Sequence, residues 1–307
     1  MLDVCLLGTG GTVPLPQRWL TSCLLRCDGK MILIDCGEGT QIALHGMGFS
    51  VKHIDTILLT HYHADHTAGL PGLLLSMAKA DRTDPITIYG PKGLPDLLQG
   101  ISMIARYVPF PIHYHEIRER QEQFKEAGLQ ITAFAVRHSV PCYSYQFILR
   151  RSPRFDKAKA ESNHVPLKAW NQLQKGNTVE MDGVTYTPDM VCGKARRGLK
   201  VVYSTDTRPV EALETYCRDA DLYIGEGMYG DPEKADKAKL NQHSMMYETA
   251  AIAAKANVRQ LWLTHYSPSM IDPDQYADQV KAIFANTVIA HDGQRTDLNF
   301  IDEEEAH

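Results

Sequence analysis

The sequence predicts a protein of mixed α-helix and β-strand structure built around a large hydrophobic core. Short strand-like runs alternate with amphipathic helical patterns in both halves of the chain, which is typical of proteins whose helices cover a β-sheet. The chain has 307 residues, 44% of them hydrophobic, enough for one large domain or two small ones. The alternation alone is compatible with a doubly wound parallel sheet.

Each element is assigned from its hydrophobic period, because strands show short apolar or alternating runs and helices repeat apolar residues every three or four positions. We predict strands near residues 2–7, 21–27, 31–35, 55–59, 86–89, 129–136, 142–149, 199–204, 221–225, 259–263 and 287–290. We predict helices near residues 38–45, 67–79, 92–105, 209–217, 244–256 and 273–285. Residues 150–200 break the alternation and are therefore predicted to be an insertion.

The most informative segment follows the apolar run 55–59. Within six positions it contains His61, His63, Asp65 and His66. Imidazole nitrogens and carboxylate oxygens suit zinc and similar divalent ions, and this spacing on a tight turn can divide the ligands between two ions. A polar surface turn rich in His is the alternative, which we disfavour because His is uncommon and usually scattered.

Further ligands are expected at other strand ends, because this turn alone cannot complete two coordination spheres. His138, Asp206 and His265 each follow a predicted strand. Asp206 is the natural bridge, since one carboxylate can give an oxygen to each of two ions. Taken singly, His138 or His265 is more often a structural histidine. The repeated placement at strand ends favours a shared metal site.

These residues resemble the metallo-β-lactamase superfamily and, within it, the ribonuclease Z family, endonucleases that trim the 3′ end of precursor tRNA. The resemblance covers nearly the whole chain. Besides the His-rich turn, it rests on Gly8-Thr-Gly10, Asp35-Cys-Gly-Glu-Gly-Thr-Gln41, Gly69-Leu-Pro-Gly-Leu-Leu74, Tyr203-Ser-Thr-Asp-Thr-Arg-Pro209, His243-Ser244 followed by Glu248, and Leu263-Thr-His-Tyr-Ser-Pro268.

The resemblance implies an α+β fold, the metallo-β-lactamase four-layer αββα sandwich, with metals at one edge of the sheets. It implies a single domain over residues 1–307, with an inserted basic arm at about 150–198. It also implies two Zn²⁺ per chain, with other divalent ions such as Mn²⁺ as alternatives. In that family pattern one zinc is held by His61, His63 and His138, the other by Asp65, His66 and His265, and Asp206 bridges them.

The implied chemistry is endonucleolytic removal of the 3′ trailer from precursor tRNA. Two ions would activate a water-derived nucleophile at neutral pH and neutralise charge on the phosphate. By resemblance His243 and Glu226 assist the departure of the leaving oxygen, while Asp65 takes a proton from the attacking water. Gly225 precedes Glu226 where the family more usually has His, so a structural Glu is the alternative for Glu226.

The insertion carries positive charge in an otherwise acidic chain. Residues 150–200 contain eleven basic and five acidic side chains, a net charge of +6, whereas the remainder carries −11 of the overall −5. Such a segment is a plausible nucleic-acid binder, because phosphate contacts release counterions. An ordinary solvated insertion is the alternative.

In ribonuclease Z an arm at this place clamps the body of the tRNA, and the match to that arm is partial. Pro166, Leu173, Lys175-Gly176 and Val179 fit, whereas Lys168-Ala169 stands where the family has Gly-Pro. The loop from Pro14 to Trp19 corresponds to the one that rejects mature CCA ends; it keeps Pro and Arg but lacks the usual Lys and Asn. We therefore predict substrate contacts from Arg18, Lys175, Arg196 and Arg197.

The remaining features set the expected location and partners. The seven Cys form no CxxC pair and are read as reduced thiols, and no leader or membrane-spanning run is recognised, so we expect a cytoplasmic protein that binds precursor tRNA, forms a homodimer and contacts no membrane. The Cys positions are 5, 23, 27, 36, 142, 192 and 217. Seven further histidines are not expected to bind metal: His45, His53, His113, His115, His164, His291 and His307.

Two alternative functions remain open from the sequence. One is a dimetal phosphodiesterase of the same fold acting on a small or cyclic phosphodiester, since fold and metals alone do not distinguish substrates. The other is an RNA-binding scaffold that keeps metals but has lost turnover. The scaffold is disfavoured because none of the seven expected ligands is missing from the sequence.

Overall fold

The computed structural model describes residues 1–301, and the last six residues, including His307, lie outside the described residues. The strands are β1 (Leu2–Gly8), β2 (Ser22–Cys27), β3 (Lys30–Ile34), β4 (Ile54–Leu58), β5 (Ile86–Pro91), β6 (Ile112–Ile117), β7 (Gln121–Glu126), β8 (Leu129–Ala135), β9 (Tyr143–Arg151), β10 (Val179–Met181), β11 (Val184–Tyr186), β12 (Arg196–Ser204), β13 (Leu222–Glu226), β14 (Leu261–Thr264), β15 (Thr287–Ile289) and β16 (Arg295–Leu298).

The α-helices are short to medium in length, and several begin directly after a strand. They are α1 (Thr40–Gly46), α2 (Ala64–Thr67), α3 (Leu70–Lys79), α4 (Leu94–Ile104), α5 (Lys157–Ser162), α6 (Leu167–Gln174), α7 (Glu211–Cys217), α8 (Ala235–Asn241), α9 (Met246–Lys255) and α10 (Ala277–Lys281). Within residues 1–301, no helix combines the length and the apolar character that crossing a bilayer requires.

The strands form two seven-stranded mixed sheets. The first has the order β16-β1-β2-β3-β4-β5-β6, antiparallel from β16 to β3 and parallel from β3 to β6. The second has the order β15-β14-β13-β12-β9-β8-β7, with parallel pairs from β12 to β15 and antiparallel pairs from β7 to β9. A single doubly wound sheet is therefore excluded as the architecture.

The central strands of each large sheet are buried on both faces, which explains why they are mostly apolar. All residues of β1, β13 and β14 are buried. Helices α1, α3 and α4 share a hydrophobic cluster with one face of the first sheet, and α7, α9 and α10 do so with the second. The Tyr145 hydroxyl on β9 donates to the Leu59 carbonyl at the end of β4, 2.6 Å away. The result is the four-layer αββα sandwich expected from the resemblance.

Residue contacts divide the chain into two units. The larger consists of Met1–Ile148 and Lys200–Asn299. The smaller, called the insert unit below, consists of Leu149–Leu199 and, among described residues, Phe300 and Ile301. It has a core of its own, formed by α5, α6 and the β10–β11 hairpin and centred on Ala160, Ala169, Leu173 and Val191.

Several elements were not predicted from the sequence, and polar composition is the common reason. Strand β7 reads Gln-Glu-Gln-Phe-Lys-Glu, yet it forms the edge of the second sheet and turns into β8 through Ala127 and Gly128, both with positive φ. The predicted helix 273–285 is instead a 3₁₀-helix, Pro273–Tyr276, followed by α10. Strand β16, helix α8 and the elements of the insert unit were also unpredicted.

Candidate metal centre

The His-rich turn leaves β4 and enters α2. His63 is the residue before the helix, and Asp65 and His66 lie in its first turn. The His61 and His66 side chains are fully buried, whereas Asp65 keeps a small exposed fraction. This one turn therefore presents all four polar side chains at the same edge of the first sheet.

The second sheet contributes three more side chains to this edge. His138 follows β8, Asp206 follows β12 and His265 follows β14. Asp206 and His265 adopt left-handed backbone conformations, with φ of 52° and 61°. Non-glycine residues rarely adopt this conformation, and it concentrates at functional sites where the surrounding structure enforces it.

The Asp206 carboxylate lies at the centre, and its two oxygens face different histidines. Oδ1 is 3.7 Å from His138 Nε2 and 4.0 Å from His61 Nε2. Oδ2 is 3.0 Å from His66 Nε2 and 3.1 Å from His265 Nε2. His63 Nδ1 lies 3.3 Å from His138 Nε2. The arrangement is that of a carboxylate shared between two adjacent ligand sets.

Asp65 completes the set of potential ligands on the side of His66 and His265. Its Oδ2 is 3.6 Å from His66 Nε2 and 3.4 Å from His265 Nε2. The backbone N–H of Thr12 donates to the same Oδ2 at 2.7 Å. Asp65 is thus held in place by a loop that follows β1.

The donor atoms fit divalent metal ions. Within the described residues, His61 Nε2 is buried and has no hydrogen-bond partner, which is costly unless an ion or water satisfies it. Potential ligand atoms lie within 4.8 Å of one another in the set His61, His63, His138 and Asp206, and likewise in the set Asp65, His66 and His265. The mixture of imidazole and carboxylate donors is one that zinc accepts.

The pKa shifts reflect the same distribution of charge. Burial lowers the pKa of His61 and of His138, which favours the neutral imidazole that binds a metal. Burial acts in the same direction on His66 and His265, but the negative charge of Asp206 outweighs it and raises both pKa values. A proton at these imidazoles compensates the same negative charge that a divalent cation would compensate.

Buried Glu226 and half-buried His243 form a pair that adjoins the cluster, since His243 Nδ1 lies 3.7 Å from Asp206 Oδ1 and Glu226 Oε1 lies 3.6 Å from His265 Nδ1. Glu226 ends β13, and its Oε1 accepts a hydrogen bond from His243 Nδ1. Glu226 Oε2 accepts from the backbone N–H groups of Thr207 and Ser244, at 3.0 and 2.9 Å. Burial opposes ionisation of both partners, but each favours the charged form of the other, so the pKa of His243 is raised and that of Glu226 is lowered.

Three residues that the sequence analysis did not assign support this geometry. Asp35, fully buried after β3, accepts from the Thr60 N–H at 2.8 Å and lies 2.8 Å from His66 Nδ1. Arg208 donates to the His243 carbonyl at 2.6 Å and forms a bidentate ion pair with Glu248. Asp35 and Arg208 stand in motifs quoted above, so motif membership was the available signal. Gly11 approaches His265 so closely that a Cβ would lie 2.6 Å from its Cε1.

The predicted substrate contacts occupy two different regions. Arg18 donates to the carbonyls of Met270 and Ile271, at 2.9 and 2.8 Å, and its guanidinium lies over the Tyr266 ring. Lys175, Arg196 and Arg197 all belong to the insert unit, where Arg196 donates to the Ser152 carbonyl at 2.8 Å.

The histidines that were not expected to bind metal lie elsewhere. His113 and His115 are exposed on β6, where His115 pairs with Glu122. His291 is exposed and 2.9 Å from Asp274. Among the residues that the structure describes, none of these three belongs to a His and carboxylate cluster.

The two sheets between helices, with histidines and carboxylates clustered at their edge, define a protein of the metallo-β-lactamase fold. The structure of human tRNase Z, short form, matches with a TM-score of 0.71 and 25% identity, covering 97% of this chain and all of that chain. Ribonuclease Z of Agathobacter rectalis is 51% identical over 300 residues, covering 98% of this chain and 99% of that protein. Ribonuclease Z of Lachnospira eligens is 48% identical and covers 99% of this chain. The chain belongs to the ribonuclease Z family.

A family model also matches the first half of the chain. The model described as Anti-Pycsar protein Apyc1 covers residues 2–157. This region includes the His-rich turn and His138, whereas Asp206, Glu226, His243 and His265 lie beyond it. The full-length relatives cover both halves of the site.

Proposed function

We propose that this protein is a metal-dependent endoribonuclease that removes the 3′ trailer of precursor tRNA. The observation that carries the proposal is the position of Asp206, whose two oxygens face two histidine sets in a chain that shares its full length with ribonuclease Z proteins. A site for two adjacent cations suits phosphodiester hydrolysis, because the ions can supply an activated nucleophile and neutralise charge on the phosphate.

The proposed metal ligands follow the geometry of the cluster. One ion would be held by His61, His63 and His138, the other by Asp65, His66 and His265, and Asp206 would bridge them. We propose zinc as the metal, since buried imidazoles dominate the donor set and oxygen-rich sites suit magnesium or calcium better. Mn²⁺ is the alternative ion to test.

Asp65 and His243 would handle the two protons of the reaction. Asp65 is ionised, because His265 lowers its pKa against the effect of burial, so its carboxylate can accept a proton from the attacking water. The Nδ1 of His243 is held by Glu226, so exchange of a proton with the leaving 3′-oxygen falls to Nε2. Glu226 fixes this orientation and favours the protonated ring.

We further propose that the insert unit is an arm of a single catalytic domain and binds the tRNA body through phosphates. The net charge of +6 over residues 150–200 supports this role. Lys175, Arg196 and Arg197 are the proposed contacts on the arm. Arg18 is proposed to act nearer the 3′ end of the tRNA.

Location and assembly are proposed on separate grounds. All seven Cys are free and buried, which supports a cytoplasmic protein with reduced thiols. Three large apolar side chains at the end of α4 and just after it, Met103, Ile104 and Tyr107, are 71%, 67% and 86% exposed and support a homodimer contact there. Light scattering of the wild type and of Ile104→Glu would test the dimer.

The proposed function is tested by incubating metal-loaded protein with end-labelled precursor tRNA and, in parallel, with bis-p-nitrophenyl phosphate. We expect cleavage of the tRNA at the boundary between the tRNA body and the trailer. Vigorous hydrolysis of the small diester without any cleavage of tRNA would favour a small-substrate phosphodiesterase instead. RNA binding with no hydrolysis of either substrate would indicate a scaffold.

A further inference from the structure

Asp35 is a buried carboxylate that faces the His-rich turn but is not among the proposed metal ligands. Its side chain is 0% exposed, and so is that of Thr60, the residue before His61. Asp35 follows β3 with a left-handed backbone, φ 57°, and its N–H donates to the carbonyl of Leu58 at the end of β4, 2.8 Å away. The loop after β3 therefore fixes this carboxylate beside the turn that leaves β4.

The His-rich turn directs hydrogen-bond donors at the Asp35 carboxylate. The Thr60 N–H donates to Oδ1 at 2.8 Å, and the Thr60 hydroxyl lies 3.0 Å from Oδ1 and 2.9 Å from Oδ2. His66 Nδ1 lies 2.8 Å from Oδ2. Because an ionised carboxylate only accepts hydrogen bonds, the His66 ring has a proton on Nδ1. In the neutral ring, Nε2, which lies 3.0 Å from Asp206 Oδ2, is then left to bind a metal ion.

The Thr60 hydroxyl extends the same preference to His61. Its oxygen lies 3.0 Å from His61 Nδ1. A hydroxyl has one hydrogen and two lone pairs, so a hydroxyl that donates to Asp35 is an acceptor at His61. The neutral His61 ring therefore has its proton on Nδ1. This leaves Nε2, a buried atom without a hydrogen-bond partner among the described residues, as the metal-binding atom.

His61 and His66 belong to different groups of potential ligands, and Asp35 contacts both groups. We propose that Asp35 is a positioning residue that fixes the ring proton and the orientation of one histidine at each ion, His66 directly and His61 through Thr60. The two ion sites would then be linked twice, by the shared Asp206 and by Asp35. This inference rests on the proposed binding of two metal ions but not on RNA as the substrate.

Asp35→Asn tests the link to both ions. The amide of the variant can donate to His66 Nδ1, which would place the ring proton on Nε2 and block the metal-binding atom. Loss of a group that orients a metal ligand weakens metal binding by about 10–100-fold. We expect Asp35→Asn to raise both zinc dissociation constants by about this factor. Titration of the metal-free protein with zinc against a chromogenic chelator measures both constants.

Two variants of Thr60 separate the two ions. Thr60→Val removes the hydroxyl and keeps the shape, whereas Thr60→Ser keeps the hydroxyl. We expect Thr60→Val to weaken mainly the ion held by His61, because the direct contact between Asp35 and His66 remains, and Thr60→Ser to bind zinc like the wild type. Thr287→Val is the matched control. Thr287 is buried on β15, its hydroxyl donates to a backbone carbonyl at 2.6 Å, and its loss should change neither constant.

The ring protons give a readout that a general loss of stability would not produce. NMR of protein labelled with ¹⁵N-histidine distinguishes ring nitrogens that carry a proton from those that do not. In the zinc-loaded wild type we expect His61 and His66 to carry the proton on Nδ1. The signal of the His61 Nδ1 proton should move upfield in Thr60→Val, as expected for a proton without an acceptor, and keep its position in Thr60→Ser.

Unchanged zinc affinity in folded Asp35→Asn would overturn the proposal, and so would a Thr60→Val protein in which both ions or neither are weakened. If circular dichroism shows that Asp35→Asn does not fold, the comparison of the Thr60 variants decides alone. At most one zinc ion per wild-type chain would overturn this link together with the bridged site. A wild type that shows all these differences but cleaves no precursor tRNA would instead overturn the proposed function and leave the role of Asp35 standing.

Discussion

At the residue scale, the burial of Glu226 has a direct chemical consequence for His243. Glu226 is 1% exposed, and its two oxygens accept hydrogen bonds from two backbone N–H groups and from the His243 ring. A buried carboxylate satisfied in this way is rigid, so the imidazole that it holds is rigid as well. His243, the proposed proton donor, is therefore held in one orientation by Glu226.

We predict that Glu226→Gln and His243→Ala impair catalysis in a way that depends on the leaving group. Cleavage of precursor tRNA should fall by about 10²–10⁴-fold, because a ribose oxygen needs a proton to leave. Hydrolysis of bis-p-nitrophenyl phosphate should change little, because p-nitrophenolate leaves without one. Comparing kcat on the two substrates shows whether Glu226 and His243 act on the leaving group. An equal loss of kcat on both substrates would show that the pair acts on the metal site instead.

Asp65 provides a second prediction for a single residue. Asp65→Ala removes an ionised carboxylate 3.4 Å from His265 Nε2 that is proposed both to bind metal and to accept a proton. Hydrolysis of every phosphodiester should be almost abolished while the circular dichroism spectrum is retained. His113→Ala, on the exposed strand β6, is the control and should remain active. Similar losses in the two variants would place the active site elsewhere.

At the scale of elements, the contact between α3 and the loop after β3 holds the His-rich turn in place. Gly69 precedes α3, and its N–H donates to the Cys36 carbonyl at 2.9 Å. A Cβ on Gly69 would lie 2.1 Å from the Gly37 carbonyl oxygen, a backbone atom that cannot move aside alone. The glycine is therefore required by close approach and not by its backbone angles.

We predict that Gly69→Ala destabilises the protein by about 1–3 kcal/mol, the usual cost of forcing extra atoms into a packed site. Gly100→Ala is the matched control, since Gly100 lies in α4 with no atom within 4 Å of the added Cβ. That change should be neutral or stabilise the protein by about 0.5–1 kcal/mol. Urea unfolding of both variants measures the difference in their free energies of unfolding. Equal unfolding midpoints would show that the close approach at Gly69 does not contribute to stability.

At the scale of the whole molecule, the candidate metal site takes its residues from both sheets. Its proposed ligands come from β4 and α2 on one side and from the ends of β8, β12 and β14 on the other. Ions that bind only the folded chain stabilise it by mass action. The site should therefore contribute to stability as well as to catalysis.

We predict two zinc ions per chain and a higher melting temperature in the loaded protein than after chelation. At a free ion concentration of 1,000 times Kd, each ion adds about 4 kcal/mol to the free energy of unfolding. Elemental analysis and calorimetry measure both quantities. Asp206→Asn should reduce the metal content and the thermal shift together. At most one ion per chain after loading would contradict the bridged arrangement.

A further prediction concerns the insert unit. Strands β9 and β12 are neighbours in the second sheet, so a short Gly-Ser loop can replace residues 152–195 and leave both strands intact. Precursor-tRNA cleavage at physiological salt should be strongly reduced, and its salt dependence should become shallower, because phosphate contacts are lost. Hydrolysis of bis-p-nitrophenyl phosphate should persist. Unchanged tRNA cleavage would rule out the arm.

Local patterns in the sequence were sufficient to predict most elements of the two large sheets. The runs that became β4, β8, β12, β13 and β14 are apolar or alternating over short windows, and burial of such windows requires little information from elsewhere. The same reasoning failed at β7, whose composition is polar, because its place at the sheet edge depends on pairing with β8. The order of strands and the division into two sheets could be expected only from the family resemblance.

For the candidate site as well, some features could be predicted from the sequence and others depended on the tertiary structure. The sequence by itself determined which residue types follow which strands, since the turn that begins at His61, Asp206 and His265 each come shortly after an apolar run. The tertiary structure decided that the two oxygens of Asp206 face different histidines, that Asp35 supports His66, and that Arg208 and Glu248, 40 positions apart, hold His243. Burial of a strand is a local property of its side chains, whereas the meeting of strand ends depends on register and packing between distant segments.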